Sequence, residues 1–220
     1  SYAIFVVFYL FIHAFSGNVN AQTILTNNNL YEQTSEVAGK VIQYHQDINA
    51  IRDFYSPYNV NKRAEDQYKM DILNCPEQRK RLIEVNNDYL KQLDQIQFST
   101  LSIYGKVDYI LLKKKINFEL NGLKKEEEQY SQIIKYVSFA DEIYAIEQKR
   151  RRGTFLDGEK VASQLNNILK ELKTDSMAFH KIQSLDMPLA KLTRDALLGL
   201  QGRLKGVYEF YNDYDPMFTW

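Results

Sequence analysis

The fold is decided by stretches such as residues 76–97, PEQRKRLIEVNNDYLKQLDQIQ. Its apolar residues step by three and four positions, at Leu82, Val85, Tyr89, Leu93 and Ile96. This spacing puts them on one face of an α-helix, since a helix turns once in 3.6 residues. Pro76 falls in the first turn, where the missing N–H of proline costs nothing. The stretch therefore predicts an amphipathic helix that packs against other helices.

The same spacing recurs along the rest of the chain. One run follows a turn at Asp157-Gly158 and comprises Val161, Leu165, Ile168, Leu172, Phe179 and Ile182. Another follows Pro188 and comprises Leu189, Leu192, Ala196, Leu200, Leu204, Val207 and Tyr211. Residues 31–54 also fit a helix that ends at Tyr55-Ser56-Pro57.

A longer run extends from Leu101 to Ile146. Its apolar positions are Val107, Leu111, Phe118, Leu123, Tyr130, Ile133 and Val137. This length predicts at least one helix well beyond the average of about 11–12 residues, bent near Gly122 or Ser131. No segment alternates apolar and polar residues, and no Asn-Gly hairpin signal occurs. The pattern predicts an all-α fold of long antiparallel helices that form a layer or bundle.

The amino-terminal residues resemble an export signal. Residues 2–15, YAIFVVFYLFIHAF, form an apolar run that is followed by small residues ending in Val19-Asn20-Ala21. This is the core and cleavage site of a secretory signal peptide, and about 14 apolar residues are too few for a membrane-spanning helix. We expect residues 1–21 to be a signal peptide truncated at its start, and the protein to be exported, periplasmic or extracellular. No stable membrane span is expected once the leader is cleaved.

Residues 22–220 are expected to be the helical amino-terminal region of a larger domain that is cut after Trp220. The 28 Lys+Arg balance the 28 Asp+Glu, which gives no support for a nucleic-acid partner, because such a partner requires a basic face. A single cysteine, Cys75, leaves this region without an internal disulfide.

Residues with catalytic or metal-binding potential are few. His45 and His180 lack a second ligand at the spacing of a zinc half-site. Cys75 is interpreted as an inert thiol. The charge run at 149–152, KRRR, is interpreted mainly as the solvent-exposed carboxyl end of a helix. Gly199, Gly202 and Gly206 share a helix face, which favours a close approach between helices. The sequence therefore predicts neither catalytic nor metal-ligating residues.

The end of the chain is rich in aromatic residues and breaks the helical spacing. Residues 207–220, VYEFYNDYDPMFTW, hold six aromatic side chains, and Asp215-Pro216 disfavours further helix. One interpretation is that these aromatics close the end of the helical layer. The other is that they form a loop that lines a ligand cleft, since loops on rigid scaffolds often carry binding residues. The cleft candidates are Tyr214, Asp215 and Trp220.

This terminal stretch, YDPMFTW after a long helix, resembles the first half of the bacterial domain-of-unknown-function family 885. A second similarity is the pattern Leu90-x-x-Leu93-Asp94-x-Ile96, followed by Leu101-Ser102-x-x-Gly105-x-x-Asp108-Tyr109-x-Leu111-Leu112. The resemblance covers roughly residues 56–220. It implies an exported, metallopeptidase-like protein in which a helical region precedes a domain with a His-Glu-x-x-x-His-like zinc motif. That motif would lie beyond Trp220.

Three hypotheses follow for the function. In the first, the chain is the non-catalytic helical half of an exported, zinc-dependent peptidase-like hydrolase, its partner is the carboxy-terminal half of the same chain, and the substrate is a peptide. In the second, it is an exported helical binding module that contacts peptide or glycan through its aromatic end. In the third, it is a structural layer of an envelope assembly without enzymatic activity. The fragment alone is expected to hold no cofactor, and zinc belongs to the full-length protein.

Overall fold

The computed structural model describes residues 35–58, 73–179, 186–212 and 215. Within these ranges the chain forms helices and turns without a β-strand, so the predicted all-α fold is confirmed. The α-helices are α1 (Ala38–Tyr55), α2 (Pro76–Asp94), α3 (Ile103–Ile133), α4 (Ala140–Arg151), α5 (Gly158–Phe179) and α6 (Met187–Asn212). Short 3₁₀ turns at Phe98–Thr100 and Ile134–Tyr136 precede and follow α3.

The first three helices pack side by side. Helices α1 and α2 are antiparallel, because Lys40 contacts Gln92 while Tyr44, one turn further along α1, contacts Asn86. Helix α3 is antiparallel to α2, with Lys113 paired to Asp94 and Glu126 to Arg79. Helices α1 and α3 therefore run parallel. Their core contains Tyr44, Ile48, Leu82, Tyr89, Leu93, Leu112 and Ile116.

The last three helices form a second layer. Ala140 and Ile143 at the start of α4 share a core with Leu200 of α6, while Ile146 packs with Val207 further along. Helices α4 and α6 therefore run parallel. Helix α5 runs the other way, since its first turns meet the end of α6 through Val161 and Ile168 lies in the same core as Leu200.

The helix ends have local causes. Pro76 occupies the first turn of α2, as predicted. The Ser102 hydroxyl accepts a hydrogen bond from the Gly105 N–H and so caps α3. Helix α4 ends before Gly153, whose φ of 62° is a left-handed conformation that glycine adopts without strain. Helix α3 continues through Gly122 and Ser131 and gives way to a 3₁₀ turn at Ile134.

Part of the predicted helix face in α3 points away from the core. Val107, Leu111 and Phe118 are exposed, whereas the neighbouring Leu112 and Ile116 are buried. Periodicity identifies a helix face, but the packing of α1 and α2 selects which face is covered. Residues 1–21, the expected signal peptide, lie outside the described residues, as does Ile182.

None of the helices in the described ranges is both long enough and apolar enough to cross a membrane.

Candidate functional site

An open groove of about 1520 Å³ lies between α5 and α6. Val161 and Leu165 of α5 line one side, and Leu204 and Val207 of α6 line the other. Ile146 of α4 also contributes to the lining. These residues come from the three-and-four spacing of both helices, which gives each helix an apolar face. The groove is therefore an apolar channel built on rigid helices.

Apolar side chains extend this surface to the solvent. Phe155, in the loop before α5, is 84% exposed, and Leu198 and Tyr208 of α6 are each 53% exposed. Charged residues in the lining are Asp157, Glu159, Lys205 and Asp215. An apolar interior with a few polar groups is the usual composition of a ligand site.

One of the three predicted cleft residues can be placed at the groove. Asp215 is half-buried and lines it, and its backbone N–H donates to the Tyr211 carbonyl oxygen at 2.7 Å. Tyr214 and Trp220 lie outside the described residues. Leu165 and Leu204 were not predicted as site residues, because in sequence they are indistinguishable from core positions of their helices. Phe155, in the loop before α5, carries no motif and was not predicted either.

A second polar centre surrounds Glu147, which is fully buried in α4. Its Oε2 accepts hydrogen bonds from Arg151 Nη1 at 2.5 Å and from Arg203 Nη1 at 2.8 Å. Arg150 Nη2 lies 3.4 Å from Oε1. Arg203 Nη1 also donates to the Tyr55 carbonyl oxygen at 3.2 Å. The buried carboxylate thus joins α4 to α6 and to the end of α1.

The arginines at the end of α4 also contact Glu77 at the start of α2. Arg151 Nη2 lies 3.0 Å from Glu77 Oε2, and Arg152 Nη2 lies 3.2 Å from Glu77 Oε1. The Arg151 guanidinium also lies 4.6 Å from the centroid of the Tyr55 ring, a favourable cation–π distance. Because a buried charge is costly without partners, we interpret this centre as a structural junction of four helices.

The interpretation of residues 149–152 as a solvated helix end is wrong for part of the run. The side chain of Arg151 is 2% exposed and that of Arg150 is 11% exposed, whereas that of Arg152 remains 58% exposed. The end of α4 packs against α1, α2 and α6, which removes two of the arginines from water. The partners Glu77 and Glu147 are far apart in sequence and belong to no motif. The sequence pattern therefore gave no indication of this junction.

Cys75 lies beside this junction and is fully buried. Burial raises the pKa of its thiol, and the nearby Arg203 partly opposes that effect. A raised pKa lowers the thiolate fraction, which is the reactive form. This environment favours the inert role that the sequence indicated.

Glu126 of α3 is a further partly buried carboxylate. It accepts hydrogen bonds from the backbone N–H and the side-chain amide of Asn74, and Arg79 Nη1 lies 3.5 Å away. Burial raises the pKa of Glu126 above the ordinary value, while the Asn74 bonds and Arg79 oppose the rise.

We expect a carboxyl-carbon NMR titration to place the pKa of Glu126 above 4.5, the ordinary value for glutamate. A raised folded-state pKa means that the folded chain retains this proton longer than the unfolded chain. The contribution of Glu126 to stability should therefore fall as pH rises from the ordinary value through the raised one. The Glu126→Gln variant should lack this part of the pH dependence. A titration midpoint below the ordinary value would contradict the prediction.

The described residues contain no group of three or more His, Cys, Asp or Glu side chains that could hold a metal ion. The zinc implied by the resemblance therefore has no fitting ligand set in this part of the chain.

Comparison with known proteins finds no match to a protein-family model, to a curated protein or to a solved structure.

Proposed function

We propose that this chain is the non-catalytic helical part of an exported, peptidase-like hydrolase, and that its groove between α5 and α6 holds apolar side chains of a peptide. The observation that carries the proposal is the open apolar groove of about 1520 Å³ with Asp215 in its lining. Export is inferred from the signal-like residues 2–21, and the link to a hydrolase rests on the resemblance described above.

The size of the groove favours a peptide over a small metabolite. Sites for small molecules usually measure about 300–1000 Å³, and this groove is larger. A peptide can place several side chains in such a channel while its backbone stays near the solvent. The α5 and α6 walls both contribute to the same core clusters, through Val161 and Ile168 of α5 and Leu200 and Val207 of α6.

The chemistry of the lining favours apolar side chains in that peptide. Leu165, Leu204 and Val207 offer no hydrogen-bonding groups to a ligand. Removing a leucine- or phenylalanine-sized side chain from water contributes about 1.5–3 kcal/mol. Two such side chains contribute about 3–6 kcal/mol before the cost of association is subtracted. The exposed Phe155 at the mouth adds an aromatic surface.

The catalytic part of such a hydrolase would follow Trp220, as the resemblance implies. Zinc there would lower the pKa of a bound water and so supply the nucleophile. We assign no step involving zinc to the described residues, because they provide no ligand set for it. Their role in this proposal is to bind and orient the peptide.

The proposal is tested with a Leu198→Asp variant of the full chain. Leu198 is exposed in the groove lining, so the substitution should leave the fold intact while placing a charge against the bound peptide. We expect the Kd of a fluorescein-labelled peptide rich in leucine and phenylalanine to rise about tenfold or more, the equivalent of one buried apolar side chain. Fluorescence anisotropy measures the change.

The matched control is Leu197→Asp, one residue earlier on α6 and also exposed, but outside the groove lining. It should bind the peptide as the parent chain does. Equal losses in both variants, or none in either, would remove the groove from the binding site. The chain incubated with zinc should leave the peptide intact, and chelator-sensitive hydrolysis by the chain alone would contradict its non-catalytic role.

A further inference from the structure

The outward side of α3 carries an apolar surface that the proposed peptide site does not use. We define the α3 stripe as the exposed residues Ile103, Tyr104, Val107, Ile110, Leu111 and Phe118. Leu111 is 58% exposed and Phe118 is 74% exposed. The stripe spans 16 residues of helix, or about 24 Å. Large apolar side chains grouped in this way on the solvent-exposed surface of a protein usually mark an interaction site.

The stripe lies opposite the core-facing side of the same helix. The buried residues of α3 include Leu112, Ile116 and Leu123, and at about 100° per residue they point away from Val107 and Leu111. Helices α1 and α2 cover the buried side. A partner could therefore approach the stripe without displacing either helix.

We propose that the occupant of the α3 stripe is a second copy of this chain, with the two α3 helices packed antiparallel about a two-fold axis at Leu111. A two-fold contact requires a surface that is complementary to itself. The stripe meets this requirement, because Tyr104 and Phe118 each lie seven residues from Leu111 in opposite directions. Tyr104 of one copy then faces Phe118 of the other, and the two Leu111 side chains meet at the axis.

Two charges on one edge of the stripe fit the same arrangement. Asp108 and Lys115 are seven residues apart and so lie along one edge of the stripe, three residues before and four after Leu111. In an antiparallel helix pair, each edge meets the same edge of the partner. Asp108 of each copy therefore faces Lys115 of the other, which gives two symmetric ion pairs of the kind that set helix pairing.

The contacts within one copy leave these charges available. Asp108 has no ion-pair partner in the described ranges. Lys115 donates to Glu119 at 2.7 Å, but its side chain is 47% exposed and can be shared with a second carboxylate. The charge complementarity favours a second copy over an unrelated apolar partner. This inference is independent of the proposed peptide site.

A charge-exchange series measured by sedimentation equilibrium tests the interface. The full parent chain is expected to show a reversible monomer–dimer equilibrium. Asp108→Lys or Lys115→Asp alone creates two like-charge contacts, and each should weaken association about tenfold or more. The double variant should restore association to within about threefold of the parent. Circular dichroism spectra of all variants check that the helices are retained.

A cysteine pair gives a second measurement. Antiparallel helices in contact bring residues at the axis within the Cα–Cα range of a disulfide, about 4.4–6.8 Å. Leu111→Cys should therefore form a covalent dimer on mild oxidation, while the buried Cys75 stays unreactive. Glu127→Cys, an exposed position sixteen residues away on the same helix, is the control and should not cross-link efficiently.

Three results would overturn the proposal. One is a parent chain that stays monomeric at about 100 µM, a concentration at which dimers of moderate affinity form. Another is a dimer that Leu111→Glu leaves unchanged, which would place the contact elsewhere. The third is a double charge variant that associates no better than the single variants.

Discussion

Replacing Glu147 with alanine is expected to lower the free energy of unfolding by about 3–5 kcal/mol, the usual cost of removing one partner of a buried ion pair. The carboxylate is fully buried and accepts from Arg151 and Arg203, whose side chains are each 2% exposed. Without it, Arg151 and Arg203 keep their buried positive charge but lose the carboxylate that they share. Urea denaturation monitored by circular dichroism measures the loss.

Glu142→Ala is the matched control, because Glu142 lies on the same helix and is exposed. It should change the free energy of unfolding by less than about 1 kcal/mol. A Glu147→Leu/Arg203→Leu variant should recover part of the loss, since it removes a charge from each side of the pair. If Glu147→Ala unfolds no more easily than Glu142→Ala, the junction does not hold the helices together.

Gly206→Ala is expected to destabilise the chain by about 1–3 kcal/mol, the range for overpacking. A methyl group there would lie 2.6 Å from the Tyr58 carbonyl oxygen and 3.1 Å from the Tyr58 backbone nitrogen. These are backbone atoms and cannot rotate away as a side-chain end could. Either the segment after α1 shifts or α6 does, and thermal unfolding should report a lower Tm.

Gly122→Ala provides the opposite case within the same chain. Gly122 also lies inside a helix, but no atom outside its own helix comes near a methyl group placed there. Alanine should therefore stabilise α3 by about 0.5–1 kcal/mol through helix propensity and lower unfolded-state entropy. If both substitutions change stability in the same direction, the close approach at Gly206 is not the cause.

Helix positions were the part of the fold most accessible from the sequence. In α6 the predicted positions Leu189, Leu192, Leu200 and Val207 are all buried or half-buried. In α3 the same kind of pattern placed Phe118 on the packed face of the helix, but Phe118 is exposed. The pattern was ambiguous there because both sides of that helix carry apolar residues. Spacing alone cannot say which of two apolar sides meets a neighbouring helix.

The glycine pattern of α6 was interpreted as a close contact between helices. At Gly206 the close neighbour is instead the backbone of Tyr58, in the segment that follows α1. The sequence indicated that something approaches closely at this position, but the identity of the neighbour depends on tertiary packing across some 150 residues.

The candidate site was least accessible. Asp215 was a cleft candidate because Asp215-Pro216 disfavours further helix, and its role in binding stays a prediction, although it lies in the lining of the groove. The groove itself lies between α5 and α6, and Leu165 and Leu204 look like ordinary core residues in sequence. The Glu147 junction joins residues that are distant in sequence and have no fixed spacing, so only the folded chain reveals it.

The hydrogen bond between Arg203 and the Tyr55 carbonyl oxygen joins residues 148 positions apart in the chain. During synthesis, the two ends of this bond therefore become available at different times. The first three helices can close as soon as α3 has emerged, since the buried residues of their shared core, from Val37 to Leu123, have then all been made. Helix α4 must wait, because Glu147 and Arg151 lack their remaining partner until Arg203 is made. At about 5–20 residues per second, several seconds separate the two events. During that interval the nascent chain exposes the apolar faces of α4 and α5, and it is then that a chaperone has most to bind.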